Sequence, residues 1–204
     1  MSILSNSVSI TRYRVHGKIN APIIDNVTSG LINNTISEID NQISDRAVGW
    51  TSFDNPFQPD FDGSSFAFGN YFVFALRIDK KNIPAKVLKK HYTLEAAKRM
   101  AESGRDYLSK NEKKLVKEHV ISGLSLRIPA TPNIYDLVWN YDDSVIWFFS
   151  NLKAANEELE SLFSKSFNLS LIRLFPYTAA ELSADLSDSQ HDELQKISPT
   201  QFVK

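Results

Sequence analysis

The sequence predicts an α+β fold: two similar β/α units forming a mainly antiparallel sheet body with helices on one face, plus an inserted basic helical arm. Three observations carry this expectation. Strand-like segments rich in β-branched and aromatic residues recur in the first 78 residues and again after residue 131. Each of these halves holds one segment whose apolar residues recur at helical spacings of three and four. Between them, residues 79–123 lose β-branched and aromatic side chains and gain Lys, Ala, Leu and Glu. Such mixed order favours helices packed on an antiparallel sheet over a parallel α/β architecture. The expected organisation is a discontinuous body over 1–78 and 131–180, a basic helical insertion over 79–130, and an acidic tail or short helix over 181–204.

The elements follow in order. Ser7 to Val15 reads as a strand. Ile23 to Ile43 reads as a helix on Ile24, Val27, Leu31, Thr35, Ile39 and Ile43, with Pro22 suited to its first turn. Ala47 to Ser52 is a short strand, followed by a Pro- and Asp-bearing loop over 53–65. Phe66 to Ile78 is a hairpin turning near Gly69–Asn70. One helix is expected from Pro84 to Ser103, with a stop at Gly104; the alternative is a break near Tyr92–Thr93, where Thr93 could cap a fresh helix. Ser109 and Glu112 have the spacing of a capping box for the next helix, which Gly123 is placed to end. Ile134–Asn140 and Ser144–Phe149 form a second hairpin through Tyr141-Asp142-Asp143. Asn151 is expected to cap a helix reaching about Phe163, and Leu169–Leu174 is a last strand stopped by Pro176. Leu182, Leu186, Leu194 and Ile197 suggest a short amphipathic helix or a frayed tail.

Composition narrows the function classes. Apolar residues are 42% of 204, enough to build a core and to exclude general disorder. There is no cysteine, so disulfides, thiolate catalysis and cysteine-ligated metals are excluded. The longest apolar stretch, Tyr71 to Leu76, is far short of the roughly 20 residues of a membrane helix. The start MSILSNSVSI lacks the basic and apolar regions of a signal peptide, so a cytoplasmic location is expected.

The formal net charge of -1 hides an asymmetry. Arg77 to Arg127 holds 14 basic and 6 acidic residues, while the rest holds 9 and 18. A compact cationic segment suits a polyanion. Lys110, Lys113, Lys114 and Lys117 recur at i, i+3, i+4 and i+7, and Lys86, Lys89 and Lys90 repeat part of that pattern. These seven are the expected phosphate contacts. Lys98, Arg99, Arg105 and Arg127 are further candidates. Lys is a point charge with little capacity for bidentate base readout, so the implied binding is independent of sequence. The competing reading is a solvated Lys-rich helix pair, or a protein-interaction module whose basic arm docks on an acidic partner such as a second copy.

The aromatic residues Phe53, Phe57, Phe61, Phe66, Phe68, Tyr71, Phe72 and Phe74 cluster within 22 residues. They read chiefly as core, as do Trp139, Trp147, Phe148 and Phe149, with Phe57 and Phe61 the ones expected to be exposed. Asp60-Phe61-Asp62-Gly63 opens like a calcium loop, yet Tyr71 stands where that loop needs Glu. Asp54, Asp60 and Asp62 could hold magnesium for a nuclease, although Asp in such a loop usually forms turns. His16, His91, His119 and His191 form no sequence-local metal pair or triad, and no Walker or G-x-G-x-x-G motif is present. No catalytic motif and no cofactor are indicated.

Several short motifs follow one another along the chain: Gly49-Trp50, Ile83-Pro84 with Val87, and Asn111-Glu112-Lys113 with Leu115, Lys117 and Val120. They continue with Val138-Trp139-Asn140, Leu152 to Glu157, and Leu169 to Pro176. Their order and spacing resemble the RdgC family of recombination-associated proteins, and the resemblance covers about residues 8–180. The segment Leu124-Ser125-Leu126-Arg127-Ile128-Pro129 departs from the family's leucine-leucine-proline-arginine-like pattern. The resemblance implies a nucleoid-associated bacterial protein that binds double-stranded DNA with little sequence preference, forms a ring-shaped homodimer, and restrains RecA-driven recombination. Family members extend beyond this length, so a short member is expected, lacking a region that contributes to dimer contacts. The family also carries an exonuclease label, but the resemblance supplies no catalytic residues.

Overall fold

Alternating apolar residues place one row of each strand on a common face, and that face builds the core. The computed structural model describes residues 3–183 and 186–198. Seven strands form one sheet: β1 Thr11–His16, β2 Arg46–Ser52, β3 Ala67–Phe68, β4 Tyr71–Lys80, β5 Thr131–Asn140, β6 Val145–Phe148 and β7 Ser170–Arg173. The order is β2-β4-β5-β6-β1-β7, with β3 paired to β4, and every strand pair is antiparallel. Phe72 faces Trp139, Phe74 faces Leu137 and Leu76 faces Tyr135, so these residues share the core face.

Two helices cover that face: α1 Ile23–Asn33 and α4 Lys153–Phe167. Val27 and Leu31 of α1 join Leu159, Leu162 and Phe163 of α4 and the buried aromatic rings of the sheet in one cluster. The α+β class and the placement of helices on one sheet face therefore hold.

Several boundaries differ from expectation, each for a local reason. β1 begins at Thr11. α1 ends ten residues early, at Asn33. The Asn34 side chain donates to the Gly30 carbonyl at 3.0 Å and the Thr35 hydroxyl donates to that of Leu31 at 2.9 Å. The chain then leaves the helix to pair with β2, Trp50 N–H donating to Asn34 at 2.9 Å and Ile36 N–H to Trp50 at 3.0 Å. Gly49 permits this approach, since a Cβ there would lie 2.5 Å from the Ile36 backbone.

Asn151 does not cap α4. Ser150 Oγ instead accepts from Leu152 N–H at 3.2 Å, and the helix runs on to Phe167. After β7, which Pro176 follows as expected, that proline opens α5 Pro176–Ser183, and α6 Asp188–Lys196 comes next with no buried residue. The tail expectation for 199–204 lies outside the described residues.

The remaining pair of helices, α2 Ala85–Ser103 and α3 Lys110–Ser125, connects β4 to β5. They pack on each other around their own apolar cluster of Ala96, Leu108, Val116, Val120 and Leu124. Lys81 ties their root to the sheet. Its buried ammonium donates to the carbonyls of Asp40 at 2.9 Å, Gln42 at 2.7 Å and Ser125 at 2.7 Å, using all three of its N–H groups. The Asp40 carboxylate also accepts from Ala130 N–H at 2.7 Å.

Candidate nucleic-acid interface

The local sequence of the helix pair explains its ends. Gly104 closes α2 with a left-handed φ of 63°, the conformation glycine adopts at least cost. Ser109 and Glu112 form the expected capping box, with Ser109 N–H donating to Glu112 at 2.8 Å and Glu112 N–H donating to Ser109 Oγ at 3.3 Å. The Ser109 backbone and side chain, then Arg105 at 2.5 Å, hold the Glu112 carboxyl down at about 2. α2 runs as the one expected helix, and the alternative break at Tyr92–Thr93 does not form; the Thr93 hydroxyl donates back to the Lys89 carbonyl at 2.9 Å. One expectation fails here: α3 passes through Gly123 to Ser125.

The contact seam fixes which side chains face outward. On α2 it follows Leu88, Tyr92, Ala96 and Met100, and on α3 Val116, Val120 and Leu124, each one helical turn apart. At about 100° per residue, Lys89, Lys113 and Lys117 border the seam on one side. α3 runs back along α2 after the 104–109 link, so equal senses of rotation face the same way. Lys86, Lys90 and Lys114 stand about 160° from the nearest seam residue and Lys110 about 120°, toward the outer surfaces of the two helices. All seven are exposed.

Ion pairing separates the candidates. Lys86, Lys89, Lys90, Lys110, Lys113 and Lys117 have no ion pair among the described residues, and neither does Arg127. Lys114 approaches Glu118 at 3.8 Å, Lys98 approaches Glu102 at 3.9 Å, and Arg99 bonds Glu95 at 3.4 Å. Arg105 is held by Glu112. Two cations of the basic segment are internal: Lys81, and Arg77, which is buried against Asp79 at 2.6 Å and Glu38 at 2.9 Å. Burial disfavours the Arg77 charge, but those carboxylates outweigh it and raise its proton affinity.

Asp54, Asp60 and Asp62 are not gathered as a metal centre. Asp54 and Asp60 line a cavity of about 500 Å³, Asp62 is not among its walls, and Asp60 Oδ1 accepts from Asp62 N–H at 2.8 Å as a turn former. Among the described residues, no three His, Asp or Glu converge to hold a metal ion.

The aromatic residues divide unexpectedly. Phe61 is 3% exposed and belongs to the core, whereas Phe57 is 58% exposed and lies under the Arg77 guanidinium. Trp147 is not a core residue; it stacks on the exposed Tyr71 ring, centroids 6.1 Å apart, on the sheet face away from α1 and α4. Sequence reasoning missed one further grouping. His91 and His119, 28 positions apart, line the same interhelical cleft. Only the fold-back at 104–109 joins them, and no sequence-local spacing signals it.

These features define a class: an α+β sheet body bearing a lysine-rich helical hairpin. A family model described as "Putative exonuclease, RdgC" matches residues 9–187. The chain belongs to the RdgC family. Among curated proteins no match is found. Among the described residues no helix is long and apolar enough to cross a membrane.

Proposed function

We propose that this protein binds double-stranded DNA without sequence preference, through the lysines of α2 and α3, as a nucleoid-associated factor in the control of recombination. The single observation that supports this most is the split in ion pairing. Six exposed lysines have no carboxylate partner among the described residues, while carboxylates engage most of the other cations on the same helices. Unpaired ammonium groups on two adjacent helices suit a row of phosphates, and neutralising phosphates releases condensed counterions. Lysine supplies charge without a planar fork for base edges, which is the chemistry of binding without readout. The homodimer belongs to the same proposal: two arms on one duplex double the phosphate contacts. Light scattering with and without duplex tests that stoichiometry.

The direct test reverses Lys110, Lys113, Lys114 and Lys117 to Glu. Duplex affinity falls by about 100-fold or more at moderate salt, with circular dichroism showing that α3 still forms. Affinity equal to that of the parent protein rejects the proposal.

A further inference from the structure

The flank of the arm opposite Lys89, Lys113 and Lys117 has different chemistry. His91, Glu95 and Lys98 of α2 face His119 and Gly123 of α3, and Arg127 just beyond its end, across a cleft of about 290 Å³. A side chain at Gly123 would meet nothing within 4 Å, so the cleft is open there. Its charges are two fixed cations, two imidazoles and one carboxylate. Glu95 is turned to Arg99 at 3.4 Å, which partly neutralises it. Lys98 spans 3.9 Å to the exposed Glu102, a weak surface pair that a competing anion displaces. Arg127 has no carboxylate partner among the described residues.

A divalent cation does not suit this set. Lys98 and Arg127 repel it, and no three metal-ligating side chains converge among the described residues. A tetrahedral oxyanion does suit it. Guanidinium and ammonium supply charged donors, and each imidazole adds N–H groups. Imidazole takes up a proton between about pH 5 and 8, so acidification converts both rings into cationic donors. We infer that the cleft between α2 and α3 is a phosphate-binding site whose affinity rises as His91 and His119 become protonated. This goes beyond the DNA-binding proposal and does not depend on it, because the six unpaired lysines that carry that proposal do not line this cleft.

The test uses the full chain and sulfate, a phosphate mimic that remains a dianion across the imidazole range. Proton NMR follows all four histidines during pH titration. Linkage requires that a ligand preferring the charged ring raises that ring's titration midpoint. Sulfate is expected to move His91 and His119 upward by about half a pH unit, leaving His16 and His191 in place. His91→Gln with His119→Gln should weaken sulfate about tenfold near pH 6 and hardly at all near pH 8. Arg127→Gln weakens binding at both pH values, and Glu95→Gln strengthens it. Four unmoved histidines, four equal shifts, or equal sulfate binding by the parent and the double histidine variant near pH 6 would overturn the inference.

A second arm identifies the source of the phosphate. If duplex DNA binding tightens on acidification in the parent but not in the double variant, the ligand is a backbone phosphate. If it does not, while pyrophosphate reproduces the sulfate shifts, the ligand is a free phosphate compound. Charge reversal of Lys110, Lys113, Lys114 and Lys117 leaves the sulfate shifts intact, so failure of the duplex proposal is told apart from failure of this one.

Discussion

Tyr13 and Asn156 show how a buried polar pair can secure one end of a core helix. The Tyr13 hydroxyl donates to Asn156 Oδ1 at 2.6 Å, and Asn156 Nδ2 donates to the Leu152 carbonyl at 2.8 Å and that of Ser150 at 3.2 Å. Arg173 donates to the Tyr13 oxygen at 3.2 Å, and burial, first among the influences, pushes ionisation of this hydroxyl upward. Tyr13→Phe leaves a buried Asn156 without its donor and should cost about 1–2 kcal/mol in chemical denaturation. Glu112 supplies a second residue-level test. Its folded pKa is depressed, so its contribution is complete above the ordinary carboxylate value of 4.5 and is lost as pH falls toward about 2. A carboxyl NMR titration should give a Glu112 midpoint near the lower value; one near 4.5 would show that the capping box does not form in solution. The Glu112 role was legible because a capping box is a local pattern. The Tyr13–Asn156 pair was not, because its partners are 143 positions apart. Phe61 and Trp147 defeat composition for a related reason. Exposure of an aromatic ring depends on which segment crosses the sheet face above it.

Element existence followed from periodicity, while several element ends were decided by tertiary contacts. The apolar spacing over residues 23–43 is helical throughout, yet α1 stops at Asn33 because the following residues gain backbone bonds to β2. Gly49→Ala tests this joint. Its new Cβ would collide with the Ile36 backbone, and the protein should lose about 2 kcal/mol of stability. A neutral effect would mean that the 34–36 segment does not dock on β2. Gly123 looked like a stop, but helix propensity is a weak local term and the seam at Val120 and Leu124 carries α3 past it. At the root of the arm, Lys81→Met would leave three carbonyls without their ammonium donor. The expected loss is about 3 kcal/mol, with hydrogen exchange accelerated at Ser125 and its neighbours. Unchanged exchange there would show that the root is held by other contacts.

At the scale of the whole molecule, the excess positive charge of the sequence falls on the helical pair and its flanks, while the remainder of the chain is net acidic. Much of the candidate site was legible: the seven lysines chosen from spacing are all exposed. The structure refines the ranking by pairing. Sequence cannot foresee that Arg105 serves a helix start or that Lys81 is internal, since both depend on partners brought by folding. The interhelical cleft lay wholly outside sequence reach. Under the proposed function, the exposed lysines of α2 and α3 hold phosphates. The most direct measurement is duplex affinity against salt concentration for the unaltered protein. Each neutralised phosphate contributes about -0.9 to the slope of log K against log salt, so engagement of five or six lysines gives a slope of about -5. A slope near zero would show that the lysines do not engage the duplex backbone.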